Sequence, residues 1–125
     1  MVARERVIAS SSMLVEGGDG VRFDIQTAWG KETGFVVRHR GRVLGYVNRC
    51  AHVPVELDWQ PGRFFDDGGV YLICSMHGAL YDPASGRCIA GPCRGGGLPP
   101  LEVVERGGNI FLIESGNDGA SGLGA

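Results

Sequence analysis

The sequence predicts an all-β domain, built as a small antiparallel sandwich or barrel. Seven to nine short runs alternate apolar and polar residues, as half-buried strands do. Turn signals separate these runs, and glycine, at 22 of 125 residues, favours tight turns over long helices. No segment has the spacing of an amphipathic helix. Short strands joined by regular turns are typical of β-sandwiches and small barrels.

The first strands lie in the N-terminal third of the chain. Residues 6–15 predict a strand that the serines at 10–12 interrupt. After a glycine-rich turn, residues 21–25 alternate strictly between apolar and polar side chains, which predicts a second strand. Residues 28–34 contain two glycines and few apolar side chains, so we expect a loop there.

The remaining strands are predicted mainly as hairpins. Three pairs of short runs flank turn signals, and a further strand is expected at residues 70–73. The pairs are residues 35–38 with 43–47 around Arg40-Gly41, residues 80–82 with 87–89 around 83–86, and residues 101–105 with 110–113 around 106–109. We expect one domain over residues 1–114 and a disordered tail over 115–125, because the tail has almost nothing to bury.

Composition excludes several classes of partner. A net charge of −2 gives no basic surplus for nucleic acid or for an anionic membrane surface. No run of 18 apolar residues exists, and no apolar segment follows the charged start, so we expect no membrane span and a cytoplasmic protein. In that setting the four cysteines indicate metal or redox chemistry before disulfides.

Two short motifs mix cysteine with histidine. Cys50-Ala51-His52 and Cys74-Ser75-Met76-His77 each follow a predicted strand, and 21 residues separate His52 from Cys74. Loops on a rigid β scaffold are common positions for functional residues. A [2Fe–2S] cluster takes four protein ligands, and thiolate and imidazole both suit iron. Each motif can supply one of each, so that Cys50 and Cys74 reach one iron while His52 and His77 reach the other.

A structural zinc site is the alternative. Zinc sites with two cysteines and two histidines usually pair cysteine with cysteine first and histidine with histidine later. Here each motif mixes the two residue types, and the first has a single intervening residue. The pattern therefore favours an iron–sulfur cluster over zinc, although a zinc-binding module stays open at this point.

The two motifs, with Gly78-Ala79-Leu80-Tyr81-Asp82 after the second, resemble the Rieske [2Fe–2S] domain in its soluble ferredoxin branch. Gly86 resembles the family's hairpin, and Gly91-Pro92 resembles its proline loop over the cluster. The resemblance covers roughly residues 5–114 and implies a β-sandwich whose cluster-binding subdomain consists of two loops. One departure is the long stretch between the motifs, residues 53–73.

The branch follows from three positions. In Rieske proteins of quinol-oxidising complexes an extra cysteine in each loop forms a disulfide, but the matching residues here are Val55 and Met76. The family's serine that donates to a bridging sulfide is Ala79 here. The resemblance further implies that the hydroxyl of Tyr81 donates to a ligand cysteine. Because of Val55, Met76 and Ala79, and because no membrane span is expected, the chain is similar to soluble ferredoxins that supply electrons to oxygenases.

The function that this resemblance implies is electron transfer. We expect one [2Fe–2S] cluster that carries single electrons from a flavin- or iron–sulfur-dependent reductase to a terminal oxygenase. The alternatives are a small subunit of an assimilatory nitrite reductase and, from another class, the zinc module. The chain itself is not expected to be an oxygenase, because a mononuclear iron site needs two further histidines. Only His39 remains, and it is predicted at a solvated hairpin tip.

Several residues around the motifs have two interpretations each. Cys88 is expected to be a small buried apolar residue, and a Cys88–Cys93 disulfide is expected to be absent. The acidic residues between the motifs belong either to a solvated loop, which is the favoured interpretation, or to a docking rim for a basic partner. The aromatic residues there are candidates to shield the cluster. These acidic and aromatic residues are Glu56, Asp58, Asp66, Asp67, Trp59, Phe64 and Phe65.

Overall fold

The all-β prediction is confirmed by a computed structural model that describes residues 3–27, 30–51, 55–75, 78–92 and 95–115. Within these ranges the one helical element is a 3-10 turn, Ser11–Met13, at the predicted serine interruption. No helix in this part of the chain is long and apolar enough to span a membrane. The described residues form ten strands: β1 Ala3–Ser10, β2 Val21–Thr27, β3 Gly30–His39, β4 Arg42–Val47, β5 Leu72–Cys74, β6 Ala79–Tyr81, β7 Cys88–Ala90, β8 Pro100–Leu101, β9 Val103–Arg106 and β10 Asn109–Ser115.

The strands form three antiparallel sheets. Their orders are β1-β10-β9, β2-β3-β4-β8 and β5-β6-β7. The first two sheets pack face to face, because Ala9 and Ile110 of one contact Val36 of the other in a shared buried cluster. The third sheet is small and carries the second cysteine motif at Cys74. The architecture is therefore a sandwich with a small subdomain.

The β3–β4 hairpin lies between the core of the sandwich and the core of the subdomain, and it packs against both. Phe35, Val36 and Val37 are consecutive and all fully buried. Successive side chains of a strand point to opposite faces, so consecutive burial requires that both faces are covered. Val36 lies in the core of the sandwich, whereas Phe35 and Val37 pack in the larger core that contains Cys50 and Cys74. The turn at Arg40 and Gly41 has φ values of 53° and 75°, the conformation that joins two strands most tightly.

Residues 30–34 were predicted as a loop, and that prediction is wrong. They form the first half of β3 and pair with β2 from Gly30↔Thr27 to Gly34↔Phe23. The segment has few apolar side chains, so polar contacts hold it instead. The Thr27 hydroxyl donates to Glu32 at 2.6 Å, and Arg49 donates to the same carboxylate at 2.9 Å. Sequence periodicity does not detect a strand that is stabilised in this way.

The other predicted elements are confirmed with shifted bounds. The hairpin of β9 and β10 forms, but Leu101 belongs to β8 and pairs with Gly45 of β4. The strand expected at residues 70–73 begins at Leu72, and Val70 and Tyr71 precede it in an exposed turn. The tail predicted as disordered lies almost wholly outside the described residues.

Candidate metal centre

Cys50 lies in a loop that begins where β4 ends. The backbone N–H of Cys50 donates to the carbonyl of Val55 at 2.8 Å, which closes the loop across the position of the first motif. The N–H of Asn48 donates to the carbonyl of Thr33 at 2.7 Å and ties the start of this loop to β3. The Cys50 side chain is directed into the core, with the residue only 2% exposed.

Cys74 is the last residue of β5, at the start of the turn into β6. The N–H of Gly78 donates to the carbonyl of Cys74 at 2.8 Å, so the turn of the second motif is closed by its own hydrogen bond. Gly78 has a φ of +71°, a backbone conformation that glycine adopts without strain. Cys74 is fully buried.

The two cysteines belong to the same hydrophobic core. They share it with Leu57, Leu72 and Tyr81, all fully buried. Neither Cys50 nor Cys74 forms a disulfide bond. Two residues 24 positions apart in the sequence thus lie in one buried core.

The Tyr81 hydroxyl contacts the first cysteine. Its oxygen lies 3.4 Å from the Cys50 Sγ and accepts a hydrogen bond from the Ala51 N–H at 2.9 Å. Between the Cys50 thiol and this hydroxyl either group can donate, but an iron-bound cysteine is a thiolate with no proton, and towards that form the Tyr81 hydroxyl is the donor. Burial, and then the hydrogen bond to Cys50, raise the pKa of Tyr81 above its ordinary value of 10, so the hydroxyl stays a donor at neutral pH. The predicted contact between the Tyr81 hydroxyl and a motif cysteine is present at Cys50.

The two predicted histidine ligands, His52 and His77, lie outside the described residues, as do Met76 and Cys93. No group of three or more metal-binding side chains converges within the described part of the chain. The described residues therefore fix the positions of the two thiols. His39, the third histidine, ends β3 beside the Arg40-Gly41 turn, at the predicted hairpin tip, where its half-buried ring lies against Phe65 with ring centroids 6.2 Å apart.

The segment after β7 packs on the second cysteine loop. A Cβ placed on Gly91 would lie 3.0 Å from the Cα of Ala79 and 3.2 Å from the carbonyl oxygen of Gly78. Gly91 also has a φ of +90°, so both the space and the backbone conformation favour glycine. The position expected for the proline loop is thus beside the second motif, and Ala79, which replaces the family's serine, is fully buried there.

Burial of the acidic and aromatic residues between the two motifs differs from what the sequence predicted. Asp58, expected in a solvated loop, is 6% exposed because its carboxylate is enclosed by hydrogen-bond donors. Trp59, a candidate shield, is 73% exposed. Phe64 and Phe65 are buried in the core of the two cysteines, and Phe64 stacks on Phe35 at 3.9 Å.

Sequence reasoning missed Asn48. Its side chain is buried and donates to Asp58 at 2.8 Å. The available signal was weak: an amide two residues before a cysteine motif, and an aspartate between the apolar residues Leu57 and Trp59. Nothing in the sequence pairs the two.

Cys88 departs from its prediction in one respect. It is half-buried and packs against the main core, as a small apolar residue would, but it also forms a disulfide bond. A half-exposed thiol at a strand end is accessible to another thiol, whereas Cys50 and Cys74 are enclosed. Of the four cysteines of the sequence, Cys93 lies outside the described residues.

The residues present suit an iron–sulfur cluster. The ligand form of cysteine is the thiolate, and a hydroxyl that donates to the sulfur stabilises that form. Tyr81 supplies such a donor to Cys50 in a dry environment. An all-β scaffold with two buried thiols on neighbouring loops fits a small iron–sulfur protein, a class in which hydrogen bonds and burial tune the cluster.

The chain belongs to the Rieske [2Fe–2S] domain family, whose sequence model matches residues 6–105. Membership of this family implies a [2Fe–2S] cluster, and the chain is a Rieske electron carrier. Among curated protein sequences none matches the chain.

Solved structures share the fold. The ferredoxin of carbazole 1,9a-dioxygenase from Nocardioides aromaticivorans IC177 is 25% identical with a TM-score of 0.68, over 86% of this chain and 95% of that one. The Sphingomonas yanoikuyae B1 ferredoxin is 19% identical with a TM-score of 0.71, over 90% of this chain and all of that one. The terminal oxygenase of the same Nocardioides enzyme is 23% identical with a TM-score of 0.68, over 87% of this chain but 29% of that one.

Proposed function

We propose that this chain is a ferredoxin that accepts single electrons from a flavin- or iron–sulfur-dependent reductase and passes them to a terminal oxygenase. The observation that carries the proposal is the pair of buried thiols, Cys50 and Cys74, on two loops of one core, with the Tyr81 hydroxyl at one sulfur. We propose Cys50 and Cys74 as ligands of one iron and His52 and His77 as ligands of the other.

When bound, the cluster supplies a one-electron couple whose potential is raised by its histidine ligands. The chain would bind the cluster and set the polarity and hydrogen bonding around it. Leu57, Leu72 and Phe64 exclude water around the two cysteines. Tyr81 donates to the Cys50 sulfur and so favours the more negative, reduced state. Loops closed by their own backbone hydrogen bonds need little rearrangement when an electron arrives.

The oxygenase partner is inferred from similar proteins. The Nocardioides ferredoxin at 25% identity is a component of carbazole 1,9a-dioxygenase. Another structure with this fold is a complex of reduced oxygenase and oxidized ferredoxin of carbazole 1,9a-dioxygenase. These similarities support an oxygenase as the electron acceptor of this chain. The reductase follows from the same role, since a carrier needs a donor.

Anaerobic mixing tests the carrier role. The protein is reduced with each candidate reductase of its organism and NADH or NADPH, and cluster absorbance is followed in a stopped-flow instrument. The reduced protein is then mixed with oxidised candidate oxygenases. We expect reduction by a reductase and reoxidation by an oxygenase on the time scale of turnover. A cluster-loaded protein that no reductase reduces and no oxygenase reoxidises would contradict the proposal.

Ligand variants test the site separately. Cys50→Ser, Cys74→Ser, His52→Ala and His77→Ala should each lose or change the cluster, because each removes a bond to iron. Cys88→Ser is the control for a cysteine outside the ligand set, and it is compared with wild type in the presence of a thiol reductant, because Cys88 forms a disulfide that the substitution also breaks. Iron content and the visible spectrum are the readouts. Full iron in His77→Ala, or loss of iron in Cys88→Ser alone, would show that the ligand set is wrong.

A further inference from the structure

The two buried polar side chains in the described part of the chain are Asn48 and Asp58, and they contact each other. They are 4% and 6% exposed, and the Asp58 side chain itself has no exposed surface. The Asn48 amide donates to the Asp58 carboxylate at 2.8 Å. Burial of a carboxylate is energetically unfavourable unless hydrogen-bond donors surround it. The presence of this pair in the core therefore indicates a specific structural role.

The two side chains accept two further hydrogen bonds, both from backbone N–H groups of one short segment, residues 57–62, which we call the spacer segment. The N–H of Leu57 donates to the Asn48 side-chain oxygen at 2.8 Å, and the N–H of Gly62 donates to Asp58 at 2.9 Å. Arg22 of β2 places its Nε 3.5 Å from the same carboxylate. The pair therefore holds both ends of the spacer segment and fixes its path.

The spacer segment in turn contacts both cysteine loops. Asn48 lies two residues before Cys50, and its own N–H is tied to Thr33 of β3. On the other side, the carbonyl of Leu57 accepts from the N–H of Ser75 at 3.1 Å, and Ser75 directly follows Cys74. An unbroken path of hydrogen bonds thus runs from residue 48 through residue 57 to residue 75.

We infer that the Asn48–Asp58 pair is a positioning element for the cluster, which fixes the separation of the loops that carry Cys50 and Cys74. The inference rests on the proposed ligand role of those two cysteines. An apolar pair of the same volume would stabilise a core as well or better. It would not capture the Leu57 N–H, and Leu57 is the residue whose carbonyl holds the second loop. Groups that orient metal ligands change metal affinity when they are altered, even without touching the metal.

Single substitutions break the pair without a change in volume. In Asn48→Asp, two carboxylates face each other. In wild type, one oxygen of the Asp58 carboxylate accepts from the Gly62 N–H and the other from the Asn48 amide. Asp58→Asn replaces one of these oxygens by an NH₂ group, so one of the two donors loses its acceptor. We expect each single variant to release iron to a chelator about tenfold faster or more, since altered orienting groups cost about 10–100-fold in metal affinity. We also expect altered paramagnetic resonance of the reduced cluster. If one single variant yields no folded protein, the other carries the comparison.

The exchanged double variant, Asn48→Asp with Asp58→Asn, restores every hydrogen bond of the pair. The carboxylate at 48 accepts from the Leu57 N–H and from the amide at 58, whose oxygen accepts from Gly62. Only the contact with Arg22 is weakened, and Arg22 keeps two bonds to Glu56 at 2.9 Å. We expect iron release and the resonance spectrum of the double variant to return most of the way to wild type.

The control is Ile110→Ala, which opens a cavity in the sandwich core away from both cysteines. It should lower the melting temperature but leave the iron-release rate in folded protein and the resonance spectrum unchanged. The inference is overturned if the single variants keep the wild-type rate and spectrum, if the double variant does not recover, or if Ile110→Ala accelerates release equally. Wild-type protein that binds no iron would instead refute the ligand assignment itself.

Discussion

Tyr81→Phe should lower the reduction potential of the cluster. The substitution keeps the ring in the core and removes only the hydroxyl, whose oxygen lies 3.4 Å from the Cys50 Sγ. A donor at a ligand sulfur stabilises negative charge, and the reduced cluster carries one more negative charge than the oxidised cluster. Its loss therefore destabilises the reduced state more than the oxidised state.

The size of the shift follows from the energy of that hydrogen bond. A hydrogen bond to a charged group contributes about 1.5–3 kcal/mol, and only the part that differs between oxidation states moves the potential. If about one third differs, the shift is about 0.5–1 kcal/mol, or about 20–45 mV for one electron. The Ala51 N–H also loses its acceptor, and because Ala51 is exposed and water can reach it, the loss should cost about 0.5–1.5 kcal/mol of folding stability.

Protein-film voltammetry at pH 7 measures the potential, with Tyr46→Phe as the matched control. Tyr46 is also buried in the core of the two cysteines, but its hydroxyl donates to the Pro83 carbonyl at 2.6 Å. Tyr46→Phe should lose stability without a change in potential. A potential of Tyr81→Phe within a few millivolts of wild type, or an equal shift in Tyr46→Phe, would refute the assigned role of Tyr81.

Three other expectations concern residues outside the predicted ligand set. Ala79→Ser should raise the potential because it adds a donor beside the second motif, and a lower voltammetric potential would contradict this. Cys88→Ser and Cys93→Ser should both keep wild-type iron content, measured by colorimetric assay. Arg38 hydrogen-bonds Glu105 and lowers the pKa of that carboxyl from 4.5 to about 2. This pair therefore stabilises the fold above about pH 4.5 and loses its contribution as the pH falls toward 2. Because the pair is largely exposed to solvent, its contribution to the free energy of unfolding is about 1 kcal/mol or less. The free energy of urea unfolding of wild type should therefore exceed that of Glu105→Gln by less at pH 3 than at pH 6.

Local signals predicted much of the fold. The Arg40-Gly41 pair located the β3–β4 hairpin, because few residues other than glycine tolerate a positive φ in that turn. Alternation located β2, and the serine interruption located the end of β1. Residues 30–34 were missed because backbone pairing and polar contacts to Glu32, rather than apolar side chains, hold them in β3.

The site was predictable where chemistry is encoded in a motif. The Cys50 and Cys74 motifs identified the two loops, and the tyrosine after the second motif identified a donor to sulfur. Burial of Asp58 was not predictable, since it depends on Asn48 ten residues away and on a backbone N–H at Gly62. The exposure of Trp59 was not predictable either, because hydropathy alone predicts a buried tryptophan.

We propose that this chain holds one [2Fe–2S] cluster on two cysteines and two histidines. Metal and sulfide analysis of anaerobically purified protein tests it most directly. We expect two iron atoms and two acid-labile sulfides per chain and no zinc, as the composition of the cluster requires. Stoichiometric zinc without iron or sulfide would contradict it and would indicate the structural zinc module instead.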